Sequence, residues 1–169
     1  DRPELMQSAY YAHKIPQYLA QIERGEIKVA TWYEIRDAFR KCCKKYRVKA
    51  VIAHNARFDY RSCTMTQRYE TCSKYRYFFP KGVEIWDTLA MARDVIAPMP
   101  TYRKWCEANG YVLKNGQPRL TAEILYRFII KDNEFVEEHK AMEDISIEME
   151  IFWHCIRQHK AMTRKCFRD

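Results

Sequence analysis

Two short apolar runs, each opening into polar residues, organise the chain. Val48 to Ala53 leads into His54-Asn55-Ala56-Arg57-Phe58-Asp59, and Val83 to Trp86 leads into Asp87-Thr88. Apolar runs of this length are what buried strands of a parallel sheet show. In open α/β sheets ligands bind beyond the carboxyl ends of the strands, which places Asn55 and Asp59 where a site is expected. Spacing alone fits an ordinary strand-to-helix connection, with Asp59 as a solvated cap, just as well.

Helical periods fill the intervals. Thr31-Trp32-Tyr33-Glu34 is a capping box that predicts a helix start, with Ile35, Phe39, Cys42 and Tyr46 as its buried stripe and Arg36, Arg40, Lys44 and Lys45 toward water. A helix is expected after Asp59 to about Ser73, then a basic, aromatic connection ended by Pro80-Lys81-Gly82. Another follows Thr88, with Leu89, Ala92 and Ile96 on one side, stopped by Pro98 and Pro100. Asn115-Gly116, inside Tyr111 to Leu120, signals a hairpin whose second strand Pro118 limits to an edge. Thr121 caps an expected helix to Ile130.

Composition narrows the class. The 169 residues, 47% hydrophobic and 14% aromatic, make one domain's worth of core. No apolar run approaches the roughly 20 residues of a membrane span, and no signal peptide opens the chain, so a cytoplasmic protein is expected. Seven cysteines, with no C-x-x-C pair, predict reduced thiols packed as small apolar residues. The net charge of +8 favours a polyanionic partner over mere solubility, because Arg40, Lys41, Lys44, Lys45, Arg47 and Lys49 cluster.

Three stretches carry a family resemblance. Ala53-His54-Asn55-Ala56-Arg57-Phe58-Asp59 resembles the second motif of the DnaQ-like 3′-5′ exonucleases. Ile85-Trp86-Asp87-Thr88-Leu89 resembles that family's next strand and its Asp-Thr-Leu exit, and His139-Lys140-Ala141-Met142-Glu143-Asp144 is similar to the third motif of the histidine-bearing (DEDDh) branch. The match covers about residues 30 to 155. The family's opening strand, with Asp-x-Glu, has no counterpart upstream of His54; the Asp132-Asn133-Glu134 triplet follows no strand and reads as coincidence.

The resemblance implies an α/β, ribonuclease H-like exonuclease fold, here a single domain that lacks the family's first three strands, with a sheet edge left open on Val48 to Ala53 or on Val83 to Trp86. It implies a metal-dependent 3′-5′ exonuclease acting on DNA 3′ ends, in proofreading or repair. Asp59 and Asp144 would be metal ligands for Mg²⁺ or Mn²⁺, His139 would take the proton from the attacking water, and Asn55 and Phe58 would line the terminal nucleotide's pocket. Single-stranded DNA and a DNA polymerase are the implied partners, with no membrane. On one continuous helix His139 and Asp144 would point roughly 140° apart, so His139 belongs on the preceding loop and Asp144 in an early turn, backed by Met142, Ile145, Met149, Phe152 and Ile156. Asp87 reads as a cap or a structural acid. Two other readings remain open: a non-catalytic nucleic-acid-binding module that kept the fold, and an exonuclease on short RNA.

Overall fold

A computed structural model describes residues 12–71, 77–137 and 141–167. The chain divides into two compact units between Lys41 and Cys42. In the first, a 3-10 turn (Ala12–Lys14) runs into helix α1 (Ile15–Glu23), with Pro16 in the first turn, where its missing N–H leaves no bond unmade. The capping box forms as expected: the Thr31 amide donates to Glu34 Oε2 at 2.8 Å and the Glu34 amide to Thr31 Oγ1 at 3.3 Å. It opens helix α2 (Trp32–Lys45), which continues into the second unit. The covered stripe of α2 is Trp32, Arg36, Phe39 and Cys43, whereas Ile35 and Tyr46 are exposed. Arg36 therefore turns inward, because two adjacent stripes share the same period and the helix's surroundings, which periodicity does not encode, select between them.

The second unit is mixed helix and strand. Strands β1 (Ala50–Ala53) and β2 (Glu84–Asp87) pair in parallel, Ala53 opposite Asp87, so both leave the sheet at one level. Every strand residue is half-buried rather than buried, since a sheet of two strands offers little cover. The far side of β2 is taken by the segment 164–166, where Asp87 N–H donates to the Arg164 carbonyl at 2.8 Å and Cys166 N–H to the Ile85 carbonyl at 2.7 Å. Among the described residues the open edge is thus on β1.

Helix α3 (Ala56–Thr71) starts inside the polar exit, putting Asp59 in its first turn. Helix α4 (Thr88–Val95) is capped by Asp87 and ends before Pro98. Pro100, expected as a second stop, instead begins helix α5 (Pro100–Ala108), because its locked φ suits a first turn. The hairpin closes through Leu113 N–H to the Gln117 carbonyl at 2.8 Å, with Gly116 at φ +78°. Thr121 holds the N-cap position of helix α6 (Ala122–Ile130), although its hydroxyl makes no capping bond.

The core lies among α4, α5, α6 and helix α7 (Ala141–Arg157), with Met91, Ile96, Tyr102, Leu125, Ile147 and Ile151 fully covered. Side chains of this kind contribute about 1.5–3 kcal/mol each when buried, so this helical contact outweighs the small sheet. The stripe expected to back α7 is corrected: Met142, Ile145 and Met149 are exposed, and Phe152 and Ile156 half-buried. Ile147, Ile151 and Cys155 are buried instead, with Asp144 and Glu148 half-covered beside them. Helix α7 turns an acidic edge inward because Glu148 finds a backbone donor there. Among the described cysteines none is disulfide-bonded, and Cys43, Cys106 and Cys155 are buried like small apolar residues. No described helix is long and apolar enough to cross a membrane.

Candidate functional site

The site is built where β1 ends. Asn55 sits at φ +61°, a left-handed conformation that asparagine tolerates better than most residues. That turn aims two successive amides at two acids. The His54 amide donates to Glu148 Oε1 at 3.1 Å, and the Asn55 amide donates to Asp87 Oδ1 at 3.0 Å. The same Asp87 oxygen accepts from the Leu89 amide at 3.0 Å.

The His54 ring ties the exit to the hairpin. Its Nε2 lies 2.8 Å from the Leu120 carbonyl, which only accepts, so Nε2 carries the proton. Nδ1 then accepts from the buried Thr88 hydroxyl at 3.0 Å. Burial holds the imidazole below its ordinary range, against the opposing pull of the Leu120 carbonyl and the Asp87 charge. His54 thus shapes the motif loop through three bonds, one from its amide and two from its ring.

Around this bracket the carboxylates influence one another. Burial raises the Glu148 carboxyl above its usual range, and the negative charges of Asp59, Asp144 and Glu137 raise it further, with the His54 amide opposing. Asp59, exposed as a residue, is also raised, by partial desolvation of its carboxyl first and by the Asp87 charge in addition. The Oδ1 of Asp144 is buried without a hydrogen-bond partner among the described residues. In a chain of net charge +8, no described Lys or Arg forms an ion pair with Asp59, Asp87, Asp144 or Glu148.

Of the residues singled out from sequence, Asp59 lies in the first turn of α3 and Asp144 in the first turn of α7, each acting electrostatically on Glu148. Phe58 is 67% exposed rather than core, and Asn55 is exposed at the strand exit. His139 lies outside the described residues. Asp87 is a cap and a clamp, and Asp132 and Glu134 sit in a turn where the Glu134 amide donates to Asp132 Oδ1. Glu148 was missed. Its signal was available, since a residue four positions beyond Asp144 returns to within about 40° on the same helix face.

The donors suit a hard divalent cation in kind, being carboxylate oxygens with one buried oxygen unsatisfied. In number they fall short: among the described residues no three of His, Cys, Asp or Glu are already grouped closely enough to hold an ion. No protein-family model, curated protein or solved structure matches the chain.

Proposed function

We propose that this protein is a metal-dependent 3′-5′ exonuclease of the ribonuclease H-like type that removes nucleotides from DNA 3′ ends, as in proofreading. The observation that carries the reading is the set of carboxylates Asp59, Asp144 and Glu148: the charges of the first two act on Glu148, which lies against the amide that follows strand β1, and no described Lys or Arg forms an ion pair with any of the three. Asp59 and Asp144 would hold Mg²⁺ or Mn²⁺, and Glu148 adds an oxygen donor beside them. Such ions supply an activated water and stabilisation of the leaving oxygen. The protein's own groups do the rest. His139 accepts the proton of the attacking water, and the left-handed turn at Asn55 together with exposed Phe58 receives the terminal nucleotide.

A non-catalytic nucleic-acid-binding module is the second reading, favoured by the exposed basic cluster Arg40, Lys41, Lys44, Lys45, Arg47 and Lys49. A 5′-labelled single-stranded DNA with Mg²⁺ or Mn²⁺ separates the two, using this chain and a version extended upstream to include Asp-x-Glu. The enzyme reading requires stepwise shortening from the 3′ end by the extended version, abolished by Asp144→Ala, and little by the shorter chain. Shortening that survives Asp144→Ala, or none by the extended version, removes it.

A further inference from the structure

Segment 163–167 lies along the outer edge of β2 as a short antiparallel strand, with Lys165 opposite Trp86. It is held as a bound peptide would be. Two backbone bonds, from the Asp87 amide to the Arg164 carbonyl and from the Cys166 amide to the Ile85 carbonyl, fix its register. Side chains then read it one by one. The Arg164 guanidinium lies over the Trp86 ring at 5.5 Å, and the Lys165 ammonium meets Glu84 Oε1 at 3.0 Å. The Phe167 ring stands edge-on to Tyr60 at 4.7 Å, with the Arg57 guanidinium over it at 5.7 Å. We propose that this edge of β2 is a docking site for an extended peptide of a partner protein, carrying two consecutive basic residues and an aromatic residue two positions after the second, and that 164–167 occupies it as a resident stand-in.

Loose retention and spare room point to exchange. Thr163, Arg164, Lys165 and Phe167 are exposed, Cys166 is half-buried, and none of the five joins the core. The receiving side is built in advance. Glu84 Oε2 accepts from Trp86 Nε1 at 2.8 Å, which orients the carboxylate that meets Lys165, and Tyr60 stacks on Phe79 with centroids 5.5 Å apart. Beside Phe167 a cavity of about 400 Å³ is walled by Tyr60, Gly82, Val83 and Ile85, so a strand that runs further toward Gly82 fills the edge more fully than the segment in place. Backbone pairing supplies affinity and the side-chain pockets supply specificity, as in strand addition generally. Glu84 in the middle of the edge selects a basic peptide and repels a polyanion. The anchoring amide belongs to Asp87, whose Oδ1 clamps Asn55, so docking takes place beside the candidate site.

Docking at this edge is independent of the exonuclease reading, and its test needs neither metal nor nucleic acid. A tethered segment competes at an effective concentration of about millimolar, so the unmodified chain should bind a free copy only weakly. The probe is a fluorescein-labelled synthetic peptide of residues 160–169 with Cys166→Ser, followed by anisotropy with the full chain. Arg164→Ala with Phe167→Ala in the chain loosens the resident segment and should tighten the peptide roughly tenfold. Adding Tyr60→Ala or Glu84→Ala to that chain should abolish the gain. A peptide with Cys166→Pro lacks the N–H for the Ile85 carbonyl and should bind roughly tenfold more weakly, as should one with Phe167→Ala. The melting temperature checks that the loosened chain stays folded; if it does not, Phe167→Ala alone decides by the same direction of change. No gain on loosening, a gain that survives Tyr60→Ala and Glu84→Ala, or equal binding of the proline peptide would overturn the proposal. A dimer of the unmodified chain that Phe167→Ala dissolves would also overturn it, by assigning the edge to a second copy.

Discussion

Asp87 Oδ1 accepts the amide of Asn55 at 3.0 Å while also capping helix α4 through Leu89, so one acid fixes the ends of both strands. Losing a cap of this kind costs about 1 kcal/mol, and the Asn55 amide adds a second lost bond. Asp87→Ala is expected to lower the unfolding free energy by about 1–2 kcal/mol in urea. Asp87→Asn, which keeps the Oδ1 acceptor, should recover most of it. Equal loss in both variants would assign the effect to charge rather than to the clamp.

His54 makes the corresponding tie to the hairpin. His54→Ala removes the donor to the Leu120 carbonyl and the acceptor for Thr88, a loss of about 1–3 kcal/mol. Amide exchange should quicken across 111–120 and remain slow in the α5 and α7 core. The folded imidazole titrates below its ordinary value, so the unfolded state binds more protons between the two. The stability that His54 contributes is present above the ordinary imidazole value and is lost as pH falls through the depressed folded value. The unfolding free energy of His54→Ala should depend less on pH over that window.

Glu148 has the opposite sign. Its folded carboxyl is raised by burial and by the charges of Asp59, Asp144 and Glu137, so the folded state binds more protons than the unfolded one. This contribution is fully present below the ordinary carboxylate range and is lost as pH rises through the raised value. Glu148→Gln keeps an oxygen for the His54 amide and removes the charge. It should melt higher than the unmodified protein at neutral pH, with the difference closing on acidification below the carboxylate range.

Arg127 is a purely structural contrast. Its guanidinium donates to Glu123 at 2.6 Å, to the Phe135 carbonyl at 2.6 Å and to the Tyr111 hydroxyl at 2.7 Å. A lysine ammonium does not reproduce that planar fork. Arg127→Lys should destabilise by about 1–3 kcal/mol while leaving oligonucleotide affinity unchanged, checked by urea unfolding and anisotropy.

What the sequence made legible follows from how local each signal is. The capping box, the Asn115-Gly116 turn and the two apolar runs depend on neighbours within a few residues, and each appears within two residues of its expected place. The stripes of α2 and α7 were misassigned because each helix offers two apolar faces, and distant partners choose between them. Met142, Ile145 and Met149 look like core by period, yet the face carrying Asp144 and Glu148 turns inward because a donor 94 positions away, the His54 amide, is there. Proline after a helical run predicts a stop, yet its locked φ equally suits a helix start, which is the place Pro100 takes. Glu148 is marked in the sequence only by its place one helical turn beyond Asp144, and the ring bonds of His54 by nothing local, since they exist only once strand exit, hairpin and α4 come together.

The proposed function turns on whether Asp59, Asp144 and Glu148 can together take up a divalent cation. The most direct test is the melting temperature of this chain at neutral pH against added MnCl₂, with matched NaCl as the control for ionic strength. An ion that binds only the folded state must raise stability as its concentration passes the dissociation constant. A saturable rise in Mn²⁺, weak because few carboxylates contribute, and lost in both Asp144→Asn and Glu148→Gln, is the predicted result. No rise beyond the NaCl control, or the same rise in Asp144→Asn, would contradict it.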